Sequence, residues 1–269
     1  MKIAVLGAGR MGSWFIRELS RNHDVVIFDT SRNQTDRIPN VVQLEAYADL
    51  APFHPELLLN AVSLSQTINA FHSALPFLPP DCLLADIASV KGAIPEFYRT
   101  CGFRFVSVHP MFGPTFADLD DLARESVLLI KESDPAGLVF FREYFGRRGL
   151  RLEEASFEEH DRMMAYSLAL PFTSTMVFAS CLTDRLVPGT TFKKHLGIAR
   201  GLLAEDDALL AEVIFNPQAL VQIEFITNRL EFLKHIIRQR DTEVAVKFFD
   251  QLRARLRLQE NVETPGKPR

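Results

Sequence analysis

The stretch Val106-Ser107-Val108-His109-Pro110-Met111-Phe112-Gly113-Pro114 is the most informative part of the sequence. Its first half is apolar and β-branched, which predicts the end of a buried parallel strand. Pro110 cannot donate to a strand ladder, so we expect the strand to end there, with His109 as its last residue. Ligands of open α/β sheets bind beyond the carboxyl ends of strands, and histidine readily accepts a proton near neutral pH. His109 is therefore a candidate reactive group; a histidine that merely ends a strand is the alternative.

A second signal lies at the N-terminus, where Lys2 to Leu6 predicts a strand and the residues after Gly12 predict a helix. Gly7-Ala8-Gly9-Arg10-Met11-Gly12 joins the two. In this context Gly7 permits a tight turn, Gly9 lets the backbone approach a pyrophosphate, and Gly12 lets the helix pack on the strand. The pattern predicts a dinucleotide-binding unit, and an ordinary glycine loop is the alternative. The other expected cofactor contacts are Arg10, Met11 and Ser63.

An acidic residue follows the second predicted strand. Asp29 lies 22 positions after Gly7, close to the spacing at which a carboxylate binds the ribose 2′-hydroxyl of a dinucleotide. A carboxylate there repels a 2′-phosphate, so the sequence favours NAD over NADP as cofactor. Arg32 lies near enough to weaken this preference.

The loop Asp86-Ile87-Ala88-Ser89-Val90-Lys91-Gly92 follows another predicted strand. Ser89 and Lys91 are therefore expected to face the same crevice as His109. A hydroxyl and a cation beside a base suit an anionic substrate that carries an alcohol. The alternatives are that Ser89 caps a helix starting near Ala93 and that Lys91 is solvated.

Composition limits the classes of function. The chain has 269 residues, 47% of them hydrophobic, and a net charge of −4, which allows two domains with a sizeable core and argues against a nucleic-acid partner. No apolar run is expected to reach the ~18 residues of a membrane span, and no secretory signal is evident. Three cysteines without close spacing predict reduced thiols and no metal site. We therefore expect a cytoplasmic protein without a membrane partner.

The pattern becomes helical from Ser156 onward. The predicted fold class is α/β, with an N-terminal Rossmann-type doubly wound parallel sheet followed by an all-helical domain. Residues 1–154 are expected to form the dinucleotide-binding domain, 155–258 a helical substrate and dimerisation domain, and 259–269 a disordered tail. The long apolar helix after Ser156 is typical of a core or an oligomer interface, which favours a homodimer formed through the helical domain.

Taken together, these patterns resemble prephenate dehydrogenases, a family of the tyrosine pathway that includes arogenate and cyclohexadienyl dehydrogenases. The resemblance extends nearly to Leu258 and also includes His160-Asp161. It implies oxidative decarboxylation of prephenate to 4-hydroxyphenylpyruvate with hydride transfer to NAD, and arogenate is the alternative small-molecule substrate. It implies that His109 accepts the proton of the substrate hydroxyl, that Ser89 hydrogen-bonds this hydroxyl and the imidazole, and that Lys91 lies near substrate or cofactor.

The substrate carboxylates need cations from the helical domain. Arg200 is the first candidate, although an ungapped match places the family's arginine on Gly201. Lys193, Lys194 and His195 are alternatives, and a solvated basic helix face is another interpretation of all four.

The chain departs from the family at two positions. Leu168 and Phe172 stand where typical members carry a glutamine and a second histidine. That histidine helps to bind substrate, so its loss leaves the choice between prephenate and arogenate open. Phe172 could pack on the substrate ring or fill the core.

Two other functions compete with this interpretation. A dehydrogenase of 3-hydroxy acids has the same architecture, but it normally carries a catalytic lysine on the first interdomain helix, where this chain has His160 and Arg162. A non-catalytic NAD-binding sensor would tolerate the loss of the helix histidine, whereas the presence of Ser89 and His109 argues against it.

Overall fold

The computed structural model describes residues 1–31, 41–113, 117–119, 121–183, 187–216 and 218–263, with the backbone alone for 259–263. Arg32, Pro114 and the end of the expected tail lie outside the described residues. The chain divides into two compact units, Met1–Leu220 and Val221–Arg269. The domain boundary expected after residue 154 coincides with the end of the last strand and stays a prediction.

The first unit contains an eight-stranded sheet. Its strands are β1 (Lys2–Leu6), β2 (Asp24–Phe28), β3 (Val42–Gln43), β4 (Leu57–Asn60), β5 (Leu83–Asp86), β6 (Phe105–Pro110), β7 (Ser126–Ile130) and β8 (Arg151–Ala155). The order across the sheet is β3-β2-β1-β4-β5-β6-β7-β8, and all neighbours are parallel except β6 and β7. The strand order reverses between β1 and β4, which opens the crevice where ligands of doubly wound sheets bind.

Helices cover both faces of the sheet and form most of the described chain after the last strand. In the first unit they are α1 (Arg10–Leu19), α2 (Leu50–Phe53), α3 (Thr67–Ala74), α4 (Ile94–Thr100), α5 (Pro135–Gly146), α6 (Phe157–Met164), α7 (Leu170–Ser180), α8 (Thr190–Leu202) and α9 (Asp207–Ile214). Single 3₁₀ turns lie at Tyr47–Asp49, Leu64–Gln66 and Leu75–Phe77, and a π-helical turn at Ala165–Ala169 joins α6 to α7.

The remaining helices are α10 (Ala219–Gln239), which enters the second unit, and α11 (Thr242–Glu263). Among the described residues, none after β8 forms a strand. A parallel-dominated sheet followed by helices confirms the predicted fold class.

The central strands are built from apolar runs that are buried on both faces. Every residue of β4 and of β5 is buried, as are all residues of β1 after Lys2. Such continuous burial is typical of parallel strands whose two faces are both covered by helices. One apolar cluster contains Phe15 and Phe141, and another contains Phe71 and Tyr98.

The predicted end of the strand that contains His109 was wrong by one residue, because Pro110 lies inside β6 rather than beyond it. Pairing with β5 stops at Ser107, and pairing with the antiparallel β7 covers Val108 to Pro110. The proline therefore lies where β6 has a sheet neighbour on one side only, and a residue without an N–H group is tolerated at such an edge. His109 is held within the strand, opposite Leu128 of β7.

The expectation that no apolar stretch reaches the length of a membrane span was also wrong. The helical stretch Phe157–Ser180 has 24 residues and contains an 18-residue segment that is apolar enough to cross a membrane, of which 17% is buried in the structure. From Met163 to Ser180 it contains no charged side chain. Length and composition alone fit a membrane span, a core helix or a helix at an oligomer interface.

Helix α5 packs unusually close to the sheet because Gly137 faces β6. A Cβ on Gly137 would lie 2.6 Å from Val106 Cβ and 3.1 Å from Leu83 Cδ2. The first distance is far below the ~3.5–4.0 Å contact of carbon atoms. The close approach of α5 to the sheet therefore requires glycine at this position.

We expect Gly137→Ala to lower the free energy of unfolding by about 1–3 kcal/mol relative to Gly146→Ala, because an added methyl group overpacks the contact. Gly146 is the matched control, since it lies in the same helix and a Cβ there meets no atom within 4 Å. Urea unfolding followed by circular dichroism measures both free energies. Equal stability of the two variants would contradict this account of the packing.

Candidate active site

The glycine turn after β1 has the geometry that a dinucleotide requires. Gly7 has a φ of 94°, and a Cβ there would lie 2.7 Å from the carbonyl oxygen of Ala61. A Cβ on Gly12 would clash with the carbonyl oxygen of Gly7. Gly9 caps α1, and its Cβ position meets no atom within 4 Å. The turn is therefore closed on the sheet side and open at Gly9, where the helix N-terminus offers N–H groups to an anion.

Asp29 joins this turn to the end of β2. Its Oδ2 accepts a hydrogen bond of 2.6 Å from the amide of Ala8, and its Oδ1 accepts one of 2.7 Å from the amide of Ser31. The carboxylate thus lies beside the glycine turn, where the predicted ribose contact requires it. Each oxygen keeps capacity for a further donor.

The other expected cofactor residues occupy different environments. The guanidinium of Arg10 lies 3.3 Å from Glu205 Oε2, which links the glycine turn to the loop before α9. Met11 is partly buried and packs on the apolar core beneath the turn. Ser63 is exposed after β4 and accepts a hydrogen bond from Thr67 through its carbonyl oxygen.

His109 lies against a second histidine. Its Nδ1 is 3.0 Å from Nε2 of His160 in α6, and Nδ1 of His160 is 2.9 Å from Oδ1 of Asp161. The exposed fractions are 5% for His109 and 0% for His160. The sequence interpretation noted the pair His160-Asp161 but gave it no role, because 51 positions separate the two histidines.

Helix α6 is anchored so that Asp161 meets the loop after β5. The Asp161 carboxylate accepts hydrogen bonds from the amides of Lys91 (2.9 Å) and Gly92 (3.2 Å). The side chain of Asn216 donates to the main-chain carbonyl of Asp161 at 3.1 Å. A reciprocal capping box between Ser156 and Glu159 sets the start of the helix.

Lys91 occupies a different place from the one predicted. Its side chain is fully buried, and Nζ donates to Asp86 Oδ1 at 2.8 Å and to the carbonyl oxygen of Val108 at 2.9 Å. Tyr98 donates its hydroxyl to the other oxygen of Asp86 at 2.9 Å. The ammonium thus joins the ends of β5 and β6 in the interior instead of facing the crevice. A buried carboxylate at the end of β5 needs a cation, and Lys91 supplies it.

Ser89 lies in the same loop but does not begin the next helix. The residue at the N-cap of α4 is Ala93, so the helix-capping alternative for Ser89 was wrong. The Ser89 side chain is half-buried. Among the described hydrogen bonds, the partner of the His109 ring is His160 rather than Ser89.

Burial shapes the proton affinities of the site. It lowers the pKa of His109 well below its ordinary value, and the nearby His160 and Lys91 lower it further. Burial also lowers the pKa of His160, although the hydrogen bond to Asp161 opposes this shift. Both imidazoles are therefore neutral near pH 7, which is the state that a proton acceptor requires.

The basic residues of the helical part are solvent-facing. Arg200, Lys193, Lys194 and His195 are all exposed on α8. Leu168 and Phe172, by contrast, pack on an apolar cluster of Ala169, Val213 and Ala219. Of the two alternatives for Phe172, this contact favours the filling of the core.

Comparisons with known proteins show which sequences and structures this chain is similar to. No protein-family model matches the chain. It is 28% identical over 188 residues to the T-protein of Enterobacter agglomerans, covering 66% of this chain and 50% of that protein. It is 21% identical over 264 residues to a probable arogenate/prephenate dehydrogenase of Methanocaldococcus jannaschii, covering 91% and 58% respectively. The chain thus spans little more than half the length of these relatives.

A solved structure matches more completely. Prephenate dehydrogenase from A. aeolicus, in complex with hydroxyphenyl propionate and NAD+, superimposes with a TM-score of 0.83 at 19% identity, over 96% of this chain and 98% of that chain. This similarity shows the fold, and the sequence relatives are similar to this chain over 66% and 91% of its length. The chain is therefore similar in sequence and in fold to prephenate and arogenate dehydrogenases.

Proposed function

We propose that this chain is an NAD-dependent dehydrogenase that converts prephenate to 4-hydroxyphenylpyruvate by oxidative decarboxylation, with arogenate as the alternative substrate. The observation that carries the proposal is a buried, neutral imidazole, His109, near the carboxyl end of β6, in a sheet whose first strand leads into an open glycine turn. The printed name of the Methanocaldococcus jannaschii relative supports this substrate class.

The cofactor residues fit a dinucleotide. The pyrophosphate would lie over Gly9 at the N-terminus of α1, and the ribose would lie near Asp29. Gly7 and Gly12 shape the turn, while Arg10, Met11 and Ser63 flank it. When bound, NAD supplies the hydride acceptor.

The protein's chemical contribution is to hold one proton. As hydride leaves C4 of the substrate ring, the C4 hydroxyl gives its proton to His109. The bond from C1 to its carboxylate then breaks, carbon dioxide leaves, and the bonding electrons make the ring aromatic. The product oxygen recovers the proton from His109, so no net proton is released. Ser89, in the loop after β5, would orient the C4 hydroxyl of the substrate.

Recognition of the carboxylates falls to the exposed cations. We assign Arg200, with Lys193 and Lys194 as further candidates, to the substrate carboxylates, because they are exposed on α8. We assign Lys91 to the protein interior, where it joins β5 to β6.

We expect His109→Asn to lower kcat by about 10²–10⁴-fold, because the proton acceptor is lost. The dissociation constant for NAD should stay unchanged. NADH absorbance measures the rate with prephenate, arogenate and 3-hydroxy acids, and His72→Asn is the control because His72 is exposed on α3.

Burial lowers the pKa of His109 below 6.5, so kcat/KM of the wild type should fall only as pH drops below that value.

Three outcomes would overturn the proposal. Near-normal kcat in His109→Asn would remove the base role from His109. NAD binding without turnover of any of these substrates would favour the sensor, and turnover of 3-hydroxy acids alone would favour the other dehydrogenase class.

We expect Asp29→Asn to reduce the preference for NAD over NADP by about tenfold, equivalent to ~1.4 kcal/mol, because the repulsion of a 2′-phosphate is lost. Asparagine keeps an oxygen that can accept from the amide of Ala8. The measurement is the ratio of kcat/KM values for the two cofactors. Asp24→Asn, at the opposite end of β2, is the matched control. An unchanged ratio in Asp29→Asn would show that another group sets the preference.

We further propose that the protein is a cytoplasmic homodimer that associates through its helical part. Several large apolar side chains are exposed there, including Val177 (55%) and Ile198 (51%) in the first unit and Ile237 (64%) in the second. Monomers rarely expose extended apolar patches. The uncharged run of α7, in the first unit, supports a second copy as the partner that covers this helix.

Sedimentation velocity should show a species of twice the 30.4 kDa chain mass. Val177→Asp should shift the equilibrium toward monomer, because a charge in a dry interface is costly. Val139→Asp is the control, since Val139 is equally exposed on α5. A monomeric wild type would refute the dimer, and flotation with phosphatidylcholine vesicles would assign the apolar helix to a membrane instead.

A further inference from the structure

The contacts of His109 continue beyond its immediate neighbour. Nδ1 of His109 faces Nε2 of His160 at 3.0 Å, and Nδ1 of His160 faces Oδ1 of Asp161 at 2.9 Å. Both rings are buried. The three side chains thus form a single chain of hydrogen-bonding atoms from β6 to α6.

The carboxylate of Asp161 determines where the hydrogen of His160 lies. Its two oxygens accept hydrogen bonds from the amides of Lys91 and Gly92. An ionised carboxylate is an acceptor only, so Nδ1 of His160 must donate to it. Nε2 of a neutral His160 then carries a lone pair, and this lone pair faces His109.

The same argument determines which ring nitrogen of His109 carries a hydrogen. Two lone pairs facing each other at 3.0 Å would leave two buried nitrogen atoms unpaired, which is costly. Nδ1 of His109 must therefore carry a hydrogen and donate it to His160. In a neutral imidazole this leaves Nε2 without a hydrogen, free to accept one.

We propose that Asp161 and His160 are positioning residues that hold His109 as its Nδ1–H tautomer, so that Nε2 is always available to the substrate hydroxyl. The kinetic consequence rests on the proposed dehydrogenase function, whereas the tautomer itself requires no substrate. When Nε2 takes a proton, the positive ring donates to His160, and His160 donates to the negative charge of Asp161.

Asp161 is suited to this role because several elements hold it in place. The amides of Lys91 and Gly92 reach it from the loop after β5, and Asn216 reaches its carbonyl from the segment after α9. A group that orients a base must itself be held by its neighbours.

Histidine-selective ¹⁵N labelling of the full chain tests the tautomer directly. Long-range ¹H–¹⁵N correlation spectra distinguish Nδ1–H from Nε2–H rings, and the signals lost in His109→Asn identify His109. At pH 7 we expect His109 as the Nδ1–H form. An Nε2–H ring or an imidazolium at this position would overturn the inference.

A pair of variants at His160 tests the consequence for catalysis. His160→Leu removes both the acceptor for His109 and the donor to Asp161, so kcat should fall about 10²-fold or more. His160→Gln keeps one oxygen acceptor and one N–H donor. Its kcat should therefore be about tenfold higher than that of His160→Leu, and the Nδ1–H signal of His109 should return. Glu159→Gln is the control in the same helix, because its carboxylate binds Ser156 and Lys131 instead.

The outcomes separate the two proposals. Equal kcat in His160→Leu and wild type would remove the positioning role from His160. A wild type with the Nδ1–H tautomer but no turnover of prephenate or arogenate would support the tautomer inference and overturn the proposed function. NAD affinity should stay within about twofold in both His160 variants, because an effect on kcat alone marks a group that acts in the transition state.

Discussion

The buried ion pair between Lys91 and Asp86 is the interaction on which the site depends. Both side chains are fully shielded from solvent, and Nζ lies 2.8 Å from Oδ1. An isolated charge in such an environment costs several kcal/mol, so each group persists because the other is present. Tyr98 satisfies the second carboxylate oxygen, and the carbonyl of Val108 accepts from the ammonium. One lysine therefore fixes the ends of two strands, including the residue that precedes His109.

The same lysine also connects the sheet to the helical part. Its amide donates to Asp161, so its main chain holds α6 while its side chain holds β6. The distance between His109 and His160 follows from these two attachments. The positive charge of Lys91 contributes to the lowered pKa of both histidines. Burial is the larger cause of both lowered pKa values, and Lys91 adds to it while also holding the two histidines close together.

Most of the fold could be predicted because its signals are local. Apolar runs separated by turns mark the strands, and the glycine turn with Asp29 marks the cofactor crevice. The structure places Asp29 beside that turn. The extent of β6 could not be predicted, because it depends on the antiparallel neighbour β7. A proline is compatible with β6 because pairing with β5 has already ended at that point. The sequence does not show where this pairing ends.

The site was less predictable, because its contacts join distant residues. His109 could be identified from its place at a strand end, but its partner lies 51 positions away on a helix. Lys91 was expected in the crevice because it follows a strand end, but the buried carboxylate of Asp86 needs a cation and binds its side chain in the interior. Leu168 and Phe172 illustrate the same limit, since their apolar contacts emerge only when α9 packs against the π-helical turn.

The π-helical turn between α6 and α7 separates two tasks of the helical part. Before it, α6 presents His160 and Asp161 to the strand end and is anchored by hydrogen bonds. After it, α7 carries no charged side chain and leaves Val177 exposed. A π-turn adds one residue per turn and so rotates the side chains of α7 about the helix axis relative to those of α6. One continuous helical stretch can therefore hold His160 at one end and turn an apolar surface outward at the other. Changes on that surface need not disturb His160, because the hydrogen bonds that hold His160 and Asp161 all lie on the N-terminal side of the turn or come from outside the stretch.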